Sequence, residues 1–90
     1  MAYGNIAVGT SATVILVANP KRTMFQLYHD GTSAAIYHGE NSSVTTANGY
    51  TLAQTGEYKD ETTIGRKCYQ GAVYGIVASS TEDLRYIERE

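Results

Sequence analysis

Apolar residues in this chain never run long and never recur at helical spacing. They come in pieces of four to eight residues, such as "TVILVA" at 13–18, "RTMFQLYH" at 22–29 and "GAVYGIVA" at 71–78, divided by groups of Gly, Asn, Asp and Ser. That is the pattern of short strands joined by turns. No window carries an apolar stripe at i, i+3, i+4 and i+7 with helix caps around it. Composition points the same way: eight Tyr, eleven Thr and nine Gly stand beside one Pro, one Phe and no Trp. Thr and Tyr suit a pleated, half-buried surface, and Gly supplies turns.

Strands are expected near 4–8, 12–18, 22–29, 33–39, 43–47, 50–53, 57–64, 71–78 and 82–88. The last ten residues, "TEDLRYIERE", admit a helix starting at Thr81, but the β-rich context favours a closing strand. Seven or eight short strands with turns every 8–12 residues make an all-β chain, a small antiparallel β-sandwich or jelly-roll-like barrel. One domain is expected over 1–90, with residues 1–8 as an N-terminal arm or weak first strand. The two-residue period puts Phe25 with Leu27, Ile36 with His38, and Tyr74 with Ile76 on shared faces. Val14 to Val17 is apolar on both faces, which predicts a central strand or one covered by a neighbouring subunit.

"NSSVTTANGYTL", residues 41–52, is rich in hydroxyls and contains Asn48-Gly49. Asn-Gly between β-formers signals a two-residue hairpin turn, because both residues tolerate positive φ. That turn pairs Ala47 with Tyr50 and Thr46 with Thr51. A nucleophilic hydroxyl needs a positioned base and an oxyanion hole, and neither is evident here. The stretch is read as structural, with Asn48 and Gly49 as its turn.

Other chemistry is weak. His29 and His38 flank "DGTSAA"; in a hairpin turning at Gly31-Thr32, Phe25 faces His38 and Ala34 faces His29. The imidazoles then stand roughly 13 Å apart, too far for one metal. Asp60-Glu61 with Glu57, and Glu82-Asp83, are read as solvated loop acids, since a carboxylate pair for sugar hydrolysis needs a cleft that so small a sandwich lacks. Gly71 and Gly75 lack the strand–turn–helix setting of a phosphate loop, and Asn41-Ser42-Ser43 lacks the secretory context of a glycosylation site. Lys67 and Arg66 can lower the pKa of Cys68, but without a neighbouring His it reads as a structural or incidental thiol. No catalytic residue, cofactor or metal is expected.

The formal charge is −2, from seven basic and nine acidic residues. No basic stripe for phosphates exists, and "PKR" at 20–22 reads as a solvated turn. No apolar run approaches the ~20 residues that span a bilayer, and "MAYGNIAVG" lacks the features of a signal peptide. Expected partners therefore exclude nucleic acid and membrane, and the chain is expected to be made in a cytoplasm without export. Ninety residues with one cysteine and two histidines have neither a disulfide nor a structural metal to support a marginal core. Oligomerisation is the remaining device. Tyrosine is common at interfaces because its ring packs while its hydroxyl stays wet. Tyr3, Tyr37, Tyr50, Tyr58 and Tyr69, near predicted turns or on outer faces, are the interface candidates.

The succession "GTSATVILVANPKRT…LYHDGTSAAIYHG…SSVTTANGYTL…GAVYGIVASSTEDLRYIE", covering 9–88, resembles small β-sandwich virion proteins of tailed bacteriophages. The polar segment 54–68, "QTGEYKDETTIGRKC", is longer than that pattern leads one to expect. The resemblance implies a virion structural component, such as a capsid decoration (cement) protein or a head- or tail-fibre domain, and supplies no catalytic residues. The expectation is a homo-oligomer, with a trimer favoured, bound to the phage major capsid protein. The alternative is a carbohydrate-binding or assembly module of a fibre. Tyrosines gathered on a subunit interface favour decoration; tyrosines lining a concave sheet face favour sugar binding.

Overall fold

The computed structural model describes residues 2–31 and 34–90. Its elements are β1 (Ala2–Val8), β2 (Thr13–Leu16), β3 (Met24–His29), β4 (Ile36–Gly39), β5 (Tyr50–Leu52), β6 (Glu57–Glu61), β7 (Val73–Val77) and β8 (Glu82–Arg89). They pair antiparallel in two four-stranded sheets, ordered β1-β8-β3-β6 and β2-β7-β4-β5. This is the strand order of a jelly roll. The all-β sandwich expected from the strand-and-turn pattern is what the chain forms.

Six of the seven connections cross between sheets, and only β4–β5 stays within one. The short links at 9–12 and 53–56 place edge strand β1 beside edge strand β2, and β6 beside β5. Alternate residues turn inward: Leu27 and His29 on β3, Ile36 and His38 on β4, Val73 and Val77 on β7. Leu27, Ile36, Leu84 and Val8 are fully excluded from solvent at the centre of the core. Burying side chains of this kind contributes about 1.5–3 kcal/mol each.

Several expectations are corrected. Residues 2–8 are a full edge strand hydrogen-bonded along β8, not an arm. The closing strand favoured over 82–88 is borne out, as β8. Strand β2 lies at an edge rather than the centre, with a bulge between Val14 and Leu16 that turns both Ile15 and Leu16 inward and leaves Val14 and Val17 exposed. Strands β3 and β4 belong to different sheets, so the His29/His38 hairpin does not form; Thr32 and Ser33, at its proposed turn, lie outside the described residues. The strand expected over 57–64 ends at Glu61, where Thr63 and Arg66 form an isolated bridge around Gly65 at φ 82°.

The Asn48-Gly49 hairpin is also corrected. Tyr50 pairs with His38 and Thr51 with Tyr37, so residues 40–49 form one long loop and 43–47 is not a strand. The hydroxyls and amides of this loop close its own turns. Asn41 Oδ1 accepts from Ser43 N at 2.8 Å, Asn48 Oδ1 accepts from Thr45 N at 2.7 Å, and Thr45 Oγ1 accepts from Asn48 N at 3.2 Å. Short polar side chains do this readily, and so compete with strand pairing. Gly49 is required for space, not for positive φ: a Cβ there would lie 2.7 Å from Tyr37 Cβ and 2.9 Å from Val44 Cγ2. Buried Val44 pins the loop against Gly39 and Gly49.

Arg22 of the "PKR" turn is fully buried rather than solvated. Its Nε donates to Glu88 at 2.6 Å, Nη1 to the carbonyls of Tyr69 (3.0 Å) and Gly71 (2.8 Å), and Nη2 to that of Val17 (2.7 Å). The guanidinium also sits 5.4 Å from the centroid of Phe25. One side chain thus ties the end of β2 and the 69–71 segment to β8. A rigid guanidinium fork can hold so many acceptors at once, whereas an ammonium cannot.

Candidate functional site

At the side of the sandwich closed by β5 and β6, the two sheets part around a cavity of about 170 Å³. Its walls are aromatic. His38 on β4 and Tyr50 on β5 are cross-strand neighbours with ring centroids 5.2 Å apart. Tyr58 reaches in from β6 on the other sheet, 4.7 Å from His38 and 5.3 Å from Tyr50. Phe25 of β3 forms the floor, 5.9 Å from Tyr58, and Tyr69 and Glu40 stand at the sides. The rings are mutually tilted by 38–58° rather than stacked flat.

His38 is 7% exposed, and among the described residues its Nε2 finds no hydrogen-bond partner. Burial pushes its pKa from 6.5 down to about 4, so the ring is neutral near pH 7. Burial likewise raises Tyr58 and Tyr69, with Asp60 adding to the rise at Tyr58 and Glu40 at Tyr69, so both phenols keep their protons. The Tyr69 hydroxyl donates to the carbonyl of Ala72 at 2.9 Å.

Asp60, expected to be a solvated acid, is buried on β6 and lines this cavity. Its Oδ2 accepts from Tyr69 N at 3.0 Å, while Oδ1 lies 2.6 Å from Arg66 Nη2 as an ion pair rather than an aligned hydrogen bond. Glu82 is buried too, 3.9 Å from His29 Nε2. The His29 ring is fixed at both nitrogens: Nε2 lies 2.5 Å from the Ala34 carbonyl, and Nδ1 accepts from Gly31 N at 2.9 Å. Cys68 is buried, and burial raises its thiol pKa against the opposing pull of Arg22 and Arg66, leaving it in the protonated, unreactive form. Among the described residues, no three His, Cys, Asp or Glu side chains gather as metal ligands.

The tyrosine candidates divide. Tyr50, Tyr58 and Tyr69 meet at the cavity, with Tyr50 61% exposed and the other two packed against the core instead of on an outer face. Tyr37 is half-buried on β4 beside the 40–49 loop. Tyr3 is 78% exposed on β1, at the opposite side of the sandwich. From sequence, His38 was weighed only as a metal ligand and Asp60 only as one of a carboxylate pair, both set aside, and Phe25 was given no role at a site. Only the true pairing of β4 with β5 makes His38 a neighbour of Tyr50.

A second candidate surface is the β1 edge. Sheet edges invite pairing with other chains and are usually blunted by charge, proline, bulges or shortness. Strand β6 exposes Glu57, Lys59 and Glu61, β5 has three residues, and β2 has four with a bulge. Strand β1, "AYGNIAV", has seven residues in unbroken register, with no charge and no proline. Among the described residues, β1 is the one edge strand with none of the usual guards of charge, proline, bulge or shortness.

Comparisons with protein-family models, with characterised proteins and with solved structures find no match to this chain.

Proposed function

We propose that this chain is a non-enzymatic virion structural protein of a tailed bacteriophage, a capsid decoration protein that works as an oligomer on the outer head surface. The observation that carries the reading is the unguarded β1 edge, seven uncharged residues long on a sandwich whose other edges are protected. A strand supplied by a neighbouring copy or by a shell subunit would extend the β1-β8-β3-β6 sheet, satisfying backbone groups while burying side chains on the strand. The ordered motif resemblance across 9–88 supplies the virion context, and the jelly-roll order adds an analogy of fold, which does not imply function. The major capsid protein is the partner in this reading, and the virion, assembled in the host cytoplasm, is its place.

The geometry bears on copy number. Pairing of β1 with its own counterpart closes at two copies, whereas pairing of β1 with a different surface gives a ring when its rotation closes and an open filament when it does not. A shell's local three-fold points favour three. A clamp of standard size buries ~1,600 Å² per contact, ample when repeated over a shell.

A carbohydrate-binding fibre module is the alternative, drawn from the convergence of Tyr50, Tyr58 and Tyr69. Their cavity lies between the sheets, not on a concave sheet face, so it offers little length for a glycan. Thermal release of DNA from particles with and without the protein tests the choice. Decoration predicts earlier release without it. Unchanged release, together with polysaccharide binding by the isolated chain, gives the case to the fibre module.

A further inference from the structure

We propose that the loop end of the sandwich, bearing Tyr3, Val17, Tyr50 and Ile64, is the face that docks on the outer surface of the shell. The inference rests on the virion reading and adds to it a second surface, separate from the backbone edge of β1.

The topology gathers the three long connections, 17–23, 40–49 and 62–72, at one end, where β2, β4 and β6 stop and β3, β5 and β7 start. Strand β1 starts at the same end, and the links at 9–12, 30–35, 53–56 and 78–81 close the other. Of the five large apolar side chains exposed among the described residues, four lie at the loop end. Ile64 is fully exposed, Tyr3 78%, Val17 71% and Tyr50 61%. The described residues of the opposite links carry no aliphatic larger than alanine. Apolar side chains scattered singly need no explanation, but their collection on one end marks a contact surface.

Two of the four are held ready. Ile64 sits on a tight turn closed by Thr63 N to Arg66 O at 2.9 Å and Arg66 N to Thr63 O at 3.1 Å, with Gly65 at φ 82°. The Arg66 side chain braces it from below, through the Glu61 carbonyl and Asp60. Turns favour Gly, Asn, Asp, Pro and Ser, so isoleucine at 64 answers no need of the turn itself. The Val17 carbonyl is gripped by Arg22 Nη2 at 2.7 Å. Side chains on backbone already fixed lose little further freedom when a partner covers them.

Charge and size choose the partner. Exposed Lys21, Lys67 and Arg89 are offset at this end by exposed Glu40, Glu61 and Glu90, so it presents no field for a polyanion. Tyrosines and aliphatics interspersed with charges of both signs suit a protein surface. The molecule's two shorter dimensions are 23 and 18 Å, so one end covers less than the ~800 Å² per partner of a standard interface. One copy alone holds weakly. A ring built through β1, with its axis along the strands, turns every loop end to the same side. A repeating shell then meets several ends at once, and the small contacts combine.

The test is co-sedimentation of purified protein with particles stripped of it. The loop-end variant is Val17→Ser/Ile64→Ser, and the control is Ser79→Lys at the opposite end, all at exposed positions. Circular dichroism checks that each is folded, and light scattering that each has the wild-type oligomeric state. The loop-end variant should bind particles at least tenfold more weakly than wild type, and Ser79→Lys should bind as wild type does. Equal binding by wild type and the folded loop-end variant overturns this docking face and leaves the virion reading standing, as does loss of binding by Ser79→Lys alone. Wild-type protein that binds no particles, or that sediments with anionic phospholipid vesicles in their place, overturns both.

Discussion

Acidification should weaken this fold through one imidazole. His38 is buried among Phe25, Tyr50 and Tyr58, and burial lowers its pKa from 6.5 to about 4. Between those values the unfolded chain takes up a proton that the folded chain refuses. Stability is therefore fully retained above pH 6.5 and falls as pH drops toward 4, below which this contribution levels off. The loss works out at about 2 kcal/mol by pH 5 and about 3 kcal/mol by pH 4. Against a total of about 5–10 kcal/mol for a domain of this size, that is a large share. The control is His38→Phe, which keeps an aromatic ring and cannot titrate. At pH 7 it should be neutral or slightly stabilising, because it removes the buried, unpartnered Nε2. Urea unfolding of both proteins at pH 7 and pH 5 isolates the effect, since titrations elsewhere are common to both and subtract out. Wild type should lose about 2 kcal/mol more than the variant over that step. Equal losses would refute the reasoning, as would an NMR titration of the His38 ring with its midpoint between 6 and 7.

Other perturbations read different parts of the fold. Gly49→Val forces a Cβ to within 2.7 Å of Tyr37 Cβ, and denaturant unfolding should show a cost of about 1–3 kcal/mol; a neutral variant refutes the packing of Val44 and Tyr37 around that glycine. Arg22→Ala leaves Glu88 and three carbonyls without their donor and should cost about 3–5 kcal/mol. Arg22→Lys should recover little of that loss, because an ammonium cannot reproduce the fork, and full recovery measured by melting temperature would contradict the clamp. Chelator added to the purified protein should leave its melting temperature unchanged, and a fall would reveal a metal that supports the fold.

Local pattern carried the strands but not their neighbours. Strands β3, β7 and β8 were readable because alternate inward positions, such as Leu27, Val73 and Leu84, stand out against half-buried partners. Asn48-Gly49 misled because hairpin preference is local, whereas the pairing of Tyr50 with His38 is decided by where β4 and β7 lie in the second sheet. The side chains of Asn41, Thr45 and Asn48 then stabilise a ten-residue connection that no turn rule describes. Arg22 looked like a surface residue because three of its four acceptors come from residues 47 to 66 positions away. Val14 to Val17 looked central because a bulge lets two successive residues, Ile15 and Leu16, turn inward on an edge strand. The tyrosines were visible as a group, but the cavity that collects three of them exists only after the sheets are stacked. Asp60 shows the same limit: its charge pattern is that of an exposed turn, and its burial follows from pairing opposite Phe25.

Association through β1 is the central claim, and light scattering of the isolated protein tests it most directly when wild type is set beside a Tyr3→Lys/Ala7→Lys double variant. Both positions are exposed on β1, so the fold tolerates the change while the edge gains the charges that guard other edges. The expected result is a concentration-dependent oligomer for wild type and a monomer for the folded double variant. A wild-type protein that stays monomeric at every concentration, or a double variant that assembles as wild type does, would contradict assembly through this strand.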